Sequence, residues 1–329
     1  MRPAALAGVL ADAISHQEQI LVVGQPGIGK TAIIRSVCTD IGADLIVSHP
    51  AVADPTDFKG FPARDGDHAT FLPFGDTWYA ITSTRPTVWF VDDLGQASES
   101  VQKGLMQLLL GRRINGHVLP EQVTFVGATN DARQQAGVTG LIEPVKSRWD
   151  SIVRLETHID DWSEWALGPG NMPAVLVAFL RDRPELLSAF TPTRDLTNSP
   201  CPRTRASVGR RLARGVRDFE LIAGAVGQGA ATELIGYLEL ADSAPSIDAA
   251  LLDPDGTAVP EKPSLRYLMA TGLGARMDAQ SIDSALRYLG RMPQPFRVLA
   301  VRDALRRDKS IARSAGFIRW ASAEGKEIL

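Results

Sequence analysis

Eight consecutive residues, Gly24-Gln25-Pro26-Gly27-Ile28-Gly29-Lys30-Thr31, satisfy the pattern G-x-x-x-x-G-K-[ST] at every fixed position. Each residue type there has a chemical reason. Glycines let backbone N–H groups curl around a β-phosphate with no Cβ in the way. A helix starting where the pattern ends turns its positive N-terminal end toward the same anion. Lys30 supplies a mobile point charge for the β- and γ-phosphates, and Thr31 offers a hydroxyl to Mg²⁺. The eight residues therefore read as a nucleoside triphosphate site.

Further downstream, Val88-Trp89-Phe90-Val91-Asp92-Asp93 is an apolar run ending in two carboxylates. Asp92, at the end of a strand beside the phosphate loop, can hold Mg²⁺ together with Thr31, and Asp93 can orient or activate an attacking water. Two acids after a strand, met alone, read equally as a solvated turn. Val123-Thr124-Phe125-Val126-Gly127-Ala128-Thr129-Asn130 is a second apolar run closing on polar residues. The Asn130 amide could sit between the second acid and the γ-phosphate, or could simply end the strand, as asparagine favours turns. Arg148, in Lys146-Ser147-Arg148-Trp149-Asp150, offers a planar, permanently charged fork for developing phosphoryl charge. A salt-bridged surface arginine is the alternative. Arg203, in Cys201-Pro202-Arg203-Thr204-Arg205, stands just inside a helix start marked by proline, from which it could reach a nucleotide.

Something must hold these groups together. The apolar runs Ile20–Val23, Leu45–Val47, Val88–Val91, Val123–Gly127 and Ile152–Leu155 are continuous rather than alternating, as expected of parallel strands covered on both faces. Helical spacing between them, as in Glu99–Leu110, completes an α/β domain ending near residue 156. The turn-rich piece from His49 to Asp76 is too long for an ordinary connection and reads as a functional insertion. Its aromatic residues, among them Phe58, Phe61, Phe71, Phe74 and Trp78, suit hairpin packing or protein contact better than nucleic acid, because acids are interspersed. Beyond residue 157 the pattern is helical. The 329 residues, with a formal net charge of −3, give no global reason to expect a nucleic-acid partner. Two widely separated cysteines, Cys38 and Cys201, suit reduced thiols and a cytoplasmic location. No run reaches the roughly 20 apolar residues of a membrane span.

With these residues in order, the chain resembles the AAA+ ATPases, and within them the MoxR-type branch. The motifs carrying the resemblance are GQPGIGKT, VWFVDD, GATN, KSRWD and PRT, with Asp161-Trp162-Ser163-Glu164-Trp165-Ala166 and the stretch from Leu108 to Gly116 also similar. The resemblance implies a P-loop NTPase parallel sheet in the order 5-1-4-3-2, a C-terminal helical lid domain and a further helical extension. The implied boundaries are 1–156 for the nucleotide-binding domain with an insertion at about 54–76, 157–225 for the lid and 226–329 for the extension. It implies ATP and Mg²⁺ as cofactors, bound by Gly24 to Thr31 as Walker A and by Thr31 and Asp92 at the metal. Asp93 would be the catalytic acid, Asn130 sensor 1, Arg148 an arginine finger serving the next subunit, and Arg203 sensor 2. The family usually has glutamate where Asp93 stands, so slow hydrolysis is expected.

The implied function is a homo-oligomeric ring, expected as a hexamer. It would hydrolyse ATP to remodel or activate a protein client, often one with a von Willebrand factor A domain. Two alternatives stay open: a nucleic-acid motor or loader, and a nucleotide-gated scaffold with little hydrolysis.

Overall fold

Strand β1 (Ile20–Val23) lies between two strands far from it in sequence, and that placement brings the polar residues together. In the computed structural model, residues 1–131, 140–190 and 196–324 are described. They form two compact units, dividing after Thr157.

In the first unit, α1 (Pro3–Ser15) precedes β1, and α2 (Lys30–Ile41) follows the glycine-rich loop. After β2 (Asp44–Ser48) comes the insertion: α3 (Pro55–Lys59), the antiparallel hairpin β3 (Phe61–Asp65) and β4 (His68–Leu72), and α4 (Gly75–Ile81). β5 (Thr87–Val91) and α5 (Glu99–Gly111) lead to a small hairpin, β6 (Arg113–Ile114) and β7 (His117–Val118). Then come β8 (Val123–Thr129), α6 (Glu143–Lys146) and β9 (Ser151–Arg154).

All pairings in the main sheet are parallel, and its order is β2-β5-β8-β1-β9. Counting only the five core strands, this is the expected 5-1-4-3-2. Side chains alternate between two cores, as the pleat requires. Ile20, Val22, Val88, Phe90, Val126 and Ala128 pack with α1 and α2, while Leu21, Trp89, Val91, Phe125 and Val123 pack with α5. Trp89 stacks on Phe125 with centroids 5.3 Å apart. β5 and β8 are buried throughout, whereas the edge strands β2 and β9 are partly exposed. Double coverage thus holds for the central strands only.

Cys38, on the core face of α2, is 2% exposed, and burial pushes its thiol up from 9.0 to about 11. An unfolded thiol ionises first, so its contribution to stability is constant below about pH 9 and is lost as the pH climbs toward 11. In a Cys201→Ser background, Cys38 should resist Ellman's reagent at pH 8 until denaturant is added. Rapid labelling of the native protein would contradict this burial.

The second unit is helical: α7 (Ile159–Leu167), α8 (Ala174–Asp182), α9 (Pro202–Leu212), α10 (Phe219–Val226), α11 (Gln228–Ala241), α12 (Ile247–Leu252), α13 (Pro263–Arg276), α14 (Ile282–Gly290), α15 (Gln294–Arg307) and α16 (Ala315–Glu324). One core gathers α7 to α11 and another α12 to α16. α13 and α15 join them. Arg181 of α8 forms a buried bidentate pair with Asp303 of α15 at 2.5 and 2.8 Å, and also donates to Thr271 of α13 at 3.0 Å. On an adjacent face of α15, Arg302 reaches Asp160 at 2.8 Å and Arg306 reaches Glu164 at 3.1 Å. Arg302 and Arg306 therefore tie α15 to α7. No helix among the described residues is long and apolar enough to cross a membrane.

Candidate functional site: a phosphate loop meets two strand ends

The loop between β1 and α2 turns through left-handed backbone at Gly27 (φ 77°) and Gly29 (φ 104°), conformations costly for any residue with a Cβ. Gly29 caps α2, so Lys30 and Thr31 form its first turn. Lys30 is 6% exposed. Its ammonium donates to the Gly24 carbonyl at 2.8 Å, the Gln25 carbonyl at 3.1 Å and Asn130 Oδ1 at 2.8 Å. Pro26 and Ile28 complete the loop, with Ile28 buried in the core that also holds α2.

β1 neighbours β8, and β8 neighbours β5, so the ends of all three strands converge on this loop. Asp92, just past β5, is 8% exposed and accepts a hydrogen bond from the Thr31 hydroxyl at 2.7 Å. Asp93 adopts a left-handed conformation, φ 53° and ψ 35°, and its N–H donates to Asp92 Oδ1 at 3.0 Å. A non-glycine residue held there stores strain that its surroundings must offset. Asn130, just past β8, donates from Nδ2 to Asp93 Oδ1 at 3.1 Å. Its amide is thus oriented without ambiguity, since an ammonium only donates and a carboxylate accepts.

Hard oxygen donors are what Mg²⁺ requires. Thr31 and Asp92 supply two that already touch each other. Among the described residues no cluster of three or more His, Cys, Asp or Glu could hold a metal. A magnesium ion here would therefore complete its shell with phosphate and water, as it usually does.

Arg148 and Arg203 are not part of this cluster. The Arg148 guanidinium bonds locally to the Pro144 carbonyl and the Ser147 hydroxyl, and its buried Nε has no partner among the described residues. Its neighbours in sequence are already engaged: Lys146 pairs with Glu143 at 2.5 Å and Arg154 pairs with Asp131. Arg203 is exposed in the first turn of α9, within the second unit. The buried arginine of that helix is Arg205. It lies over the Phe179 ring, donates to the Leu186 carbonyl, and is held down to about 10 by burial.

Of the insertion's aromatics only Phe58 is buried. Phe61, Phe71, Phe74 and Trp78 are between 40% and 63% exposed, so packing does not account for them. Sequence reasoning also missed a buried polar chain behind the site. Trp89 Nε1 donates to Ser48 Oγ at 2.8 Å, and Ser48 Oγ donates to Asp76 at 2.5 Å. Nothing in a linear reading pairs residues 28 positions apart across an insertion.

Residues 20–157 match the ATPase family associated with various cellular activities (AAA). At 24% identity over 240 residues, the chain is similar to a Holliday junction branch migration complex subunit RuvB from Nitratidesulfovibrio vulgaris. The match covers 69% of this chain and 64% of that relative, so the chain spans less than two thirds of its relatives' length. Among solved structures, the Thermotoga maritima RuvB branch migration motor is 14% identical over 98% of this chain and 86% of its own, with a TM-score of 0.36. Brucella abortus NtrX in complex with ADP is 12% identical over 98% of this chain and 68% of its own, with a TM-score of 0.43.

Proposed function

We propose, from the premise that residues 20–157 are an AAA+ ATPase domain, that this protein binds ATP with Mg²⁺ and hydrolyses it in a ring of identical subunits, using the cycle to remodel or activate a partner protein. One observation carries the reading. Thr31, Asp92, Lys30, Asn130 and Asp93 are brought together by hydrogen bonds at the ends of three adjacent parallel strands.

In that reading the loop N–H groups and Lys30 bind the β- and γ-phosphates. Thr31 and Asp92 would hold Mg²⁺, which when bound would neutralise charge on the phosphate oxygens. Asp93 orients the attacking water and takes its proton as the bond to the β-phosphate oxygen breaks, with Asn130 fixing the carboxylate. Arg148 serves the neighbouring subunit, and Arg203 serves as sensor 2. The MoxR-type assignment rests on the motifs around Leu108 to Gly116 and Asp161 to Ala166, together with the exposed hairpin.

Asp93→Asn tests the chemistry. Phosphate release should fall on the order of 10²–10⁴-fold, while nucleotide affinity changes little. Asp93→Glu in the same series measures whether the shorter acid limits the rate. If neither the wild type nor Asp93→Glu releases phosphate above a Lys30→Ala baseline, even with partner present, only the nucleotide-gated scaffold is left.

A nucleic-acid motor is the second reading, favoured by the branch-migration relatives. Against it stand the net charge of −3 and the acids Asp54, Asp57, Asp67 and Asp76 around the insertion. DNA binding that weakens steeply with salt would establish it.

A further inference from the structure

Ser48 is the last residue of β2, an edge strand, and pairs with Val91. Its carbonyl accepts the Asp92 N–H at 2.9 Å. That is the final rung before the chain turns into the left-handed conformation at Asp93. The carboxylates at this strand exit are therefore aimed by a backbone that must be held against its own strain. Among the described residues β2 has a strand neighbour on one side only, β5.

Ser48 is 4% exposed, and its hydroxyl is fixed on two sides. An indole N–H can only donate and a carboxylate accepts, so the chain runs one way: Trp89 to Ser48 to Asp76. Such directed chains polarise along their length and fix geometry more firmly than isolated bonds. Asp76 belongs to the first turn of α4, the helix that leaves the exposed hairpin. That turn is itself locked, with Thr77 fully buried and bonded to the Phe74 backbone in both directions.

We propose that Asp76, acting through Ser48, is a positioning residue for Asp92, so that the insertion sets the metal affinity of the site and leaves its intrinsic nucleotide affinity alone. This rests on Asp92 holding the metal, as argued above. Groups that orient a metal ligand from behind typically matter 10–100-fold for metal affinity.

Mn²⁺, visible by electron paramagnetic resonance, serves as the probe, titrated into the full chain saturated with ADP. Asp76→Ala should weaken Mn²⁺ binding about 10-fold, the lower end of that range. ADP affinity measured in EDTA should stay within about twofold, a change of under 0.5 kcal/mol. Asp76→Asn should bind Mn²⁺ like the wild type, because its amide oxygen still accepts from Ser48. Ser48→Ala should weaken Mn²⁺ as Asp76→Ala does, and it provides the test if Asp76→Ala does not fold.

Unchanged Mn²⁺ affinity in the folded alanine variants overturns the proposal. So does an equal loss in Asp76→Asn, or a parallel loss of ADP affinity in EDTA. Asp92→Asn separates the two levels. If it too leaves Mn²⁺ binding unchanged, the assignment of Asp92 to the metal fails first, and the positioning role falls with it.

Discussion

Lys30→Ala should weaken ATP binding by about 100-fold, as read by titration with a fluorescent ATP analogue. The buried ammonium has exchangeable partners, namely two loop carbonyls and the Asn130 amide oxygen. A phosphate oxygen at the same nitrogen makes a charge-assisted bond in a largely dry site, worth roughly 2–3 kcal/mol. Removing the lysine also strips the Gly24 and Gln25 carbonyls and Asn130 of their common donor. About 3 kcal/mol corresponds to about a hundredfold in affinity. Lys30→Arg should not rescue it, because a planar fork cannot replace a compact ammonium at three converging acceptors. ATP affinity unchanged in Lys30→Ala would remove the phosphate loop from the binding site.

Asp303→Ala should destabilise the helical unit by about 3–5 kcal/mol. Arg181 and Asp303 are 4% and 3% exposed at their side chains and meet through two hydrogen bonds. Losing the carboxylate leaves a guanidinium inside the protein with only Thr271, among the described residues, as a remaining side-chain partner. With a urea dependence of about 2 kcal/mol per molar, the unfolding midpoint of this unit falls by about 2 M. Replacing both partners, Arg181→Met with Asp303→Leu, should restore most of the loss, because no uncompensated charge remains. A double variant as unstable as Asp303→Ala would show that the site needs the ion pair itself. A single variant as stable as the wild type would show that the pair does not clamp α8 to α15.

The parallel sheet was legible because burial on both faces leaves continuous apolar runs, and the phosphate loop because its glycines and lysine are fixed by backbone geometry. Asp92, Asp93 and Asn130 were legible for a related reason, since each follows an apolar strand whose end must face the loop. The edge strands read less clearly. β9 was expected over Ile152–Leu155 and runs Ser151–Arg154, and three of its four residues are exposed. The Trp89–Ser48–Asp76 chain was invisible, as each residue alone suits an ordinary strand or helix start. The ion pairs of α15 were also hidden. Arg302, Asp303 and Arg306 in sequence look like a solvated helix face, and only the packing against α7 and α8 shows what they answer.

The orientation of the Asn130 amide has one more consequence. Its oxygen is occupied by Lys30 and its nitrogen by Asp93. When a γ-phosphate draws the ammonium away, that oxygen becomes an unfilled acceptor on the same amide that holds the Asp93 carboxylate. In the proposed reaction the substrate would thereby unmask the seat for its own nucleophile. An ATPase built this way has an interlock: water is lined up only after phosphate has arrived, and Asn130→Asp, which would keep the lysine captive, should jam it.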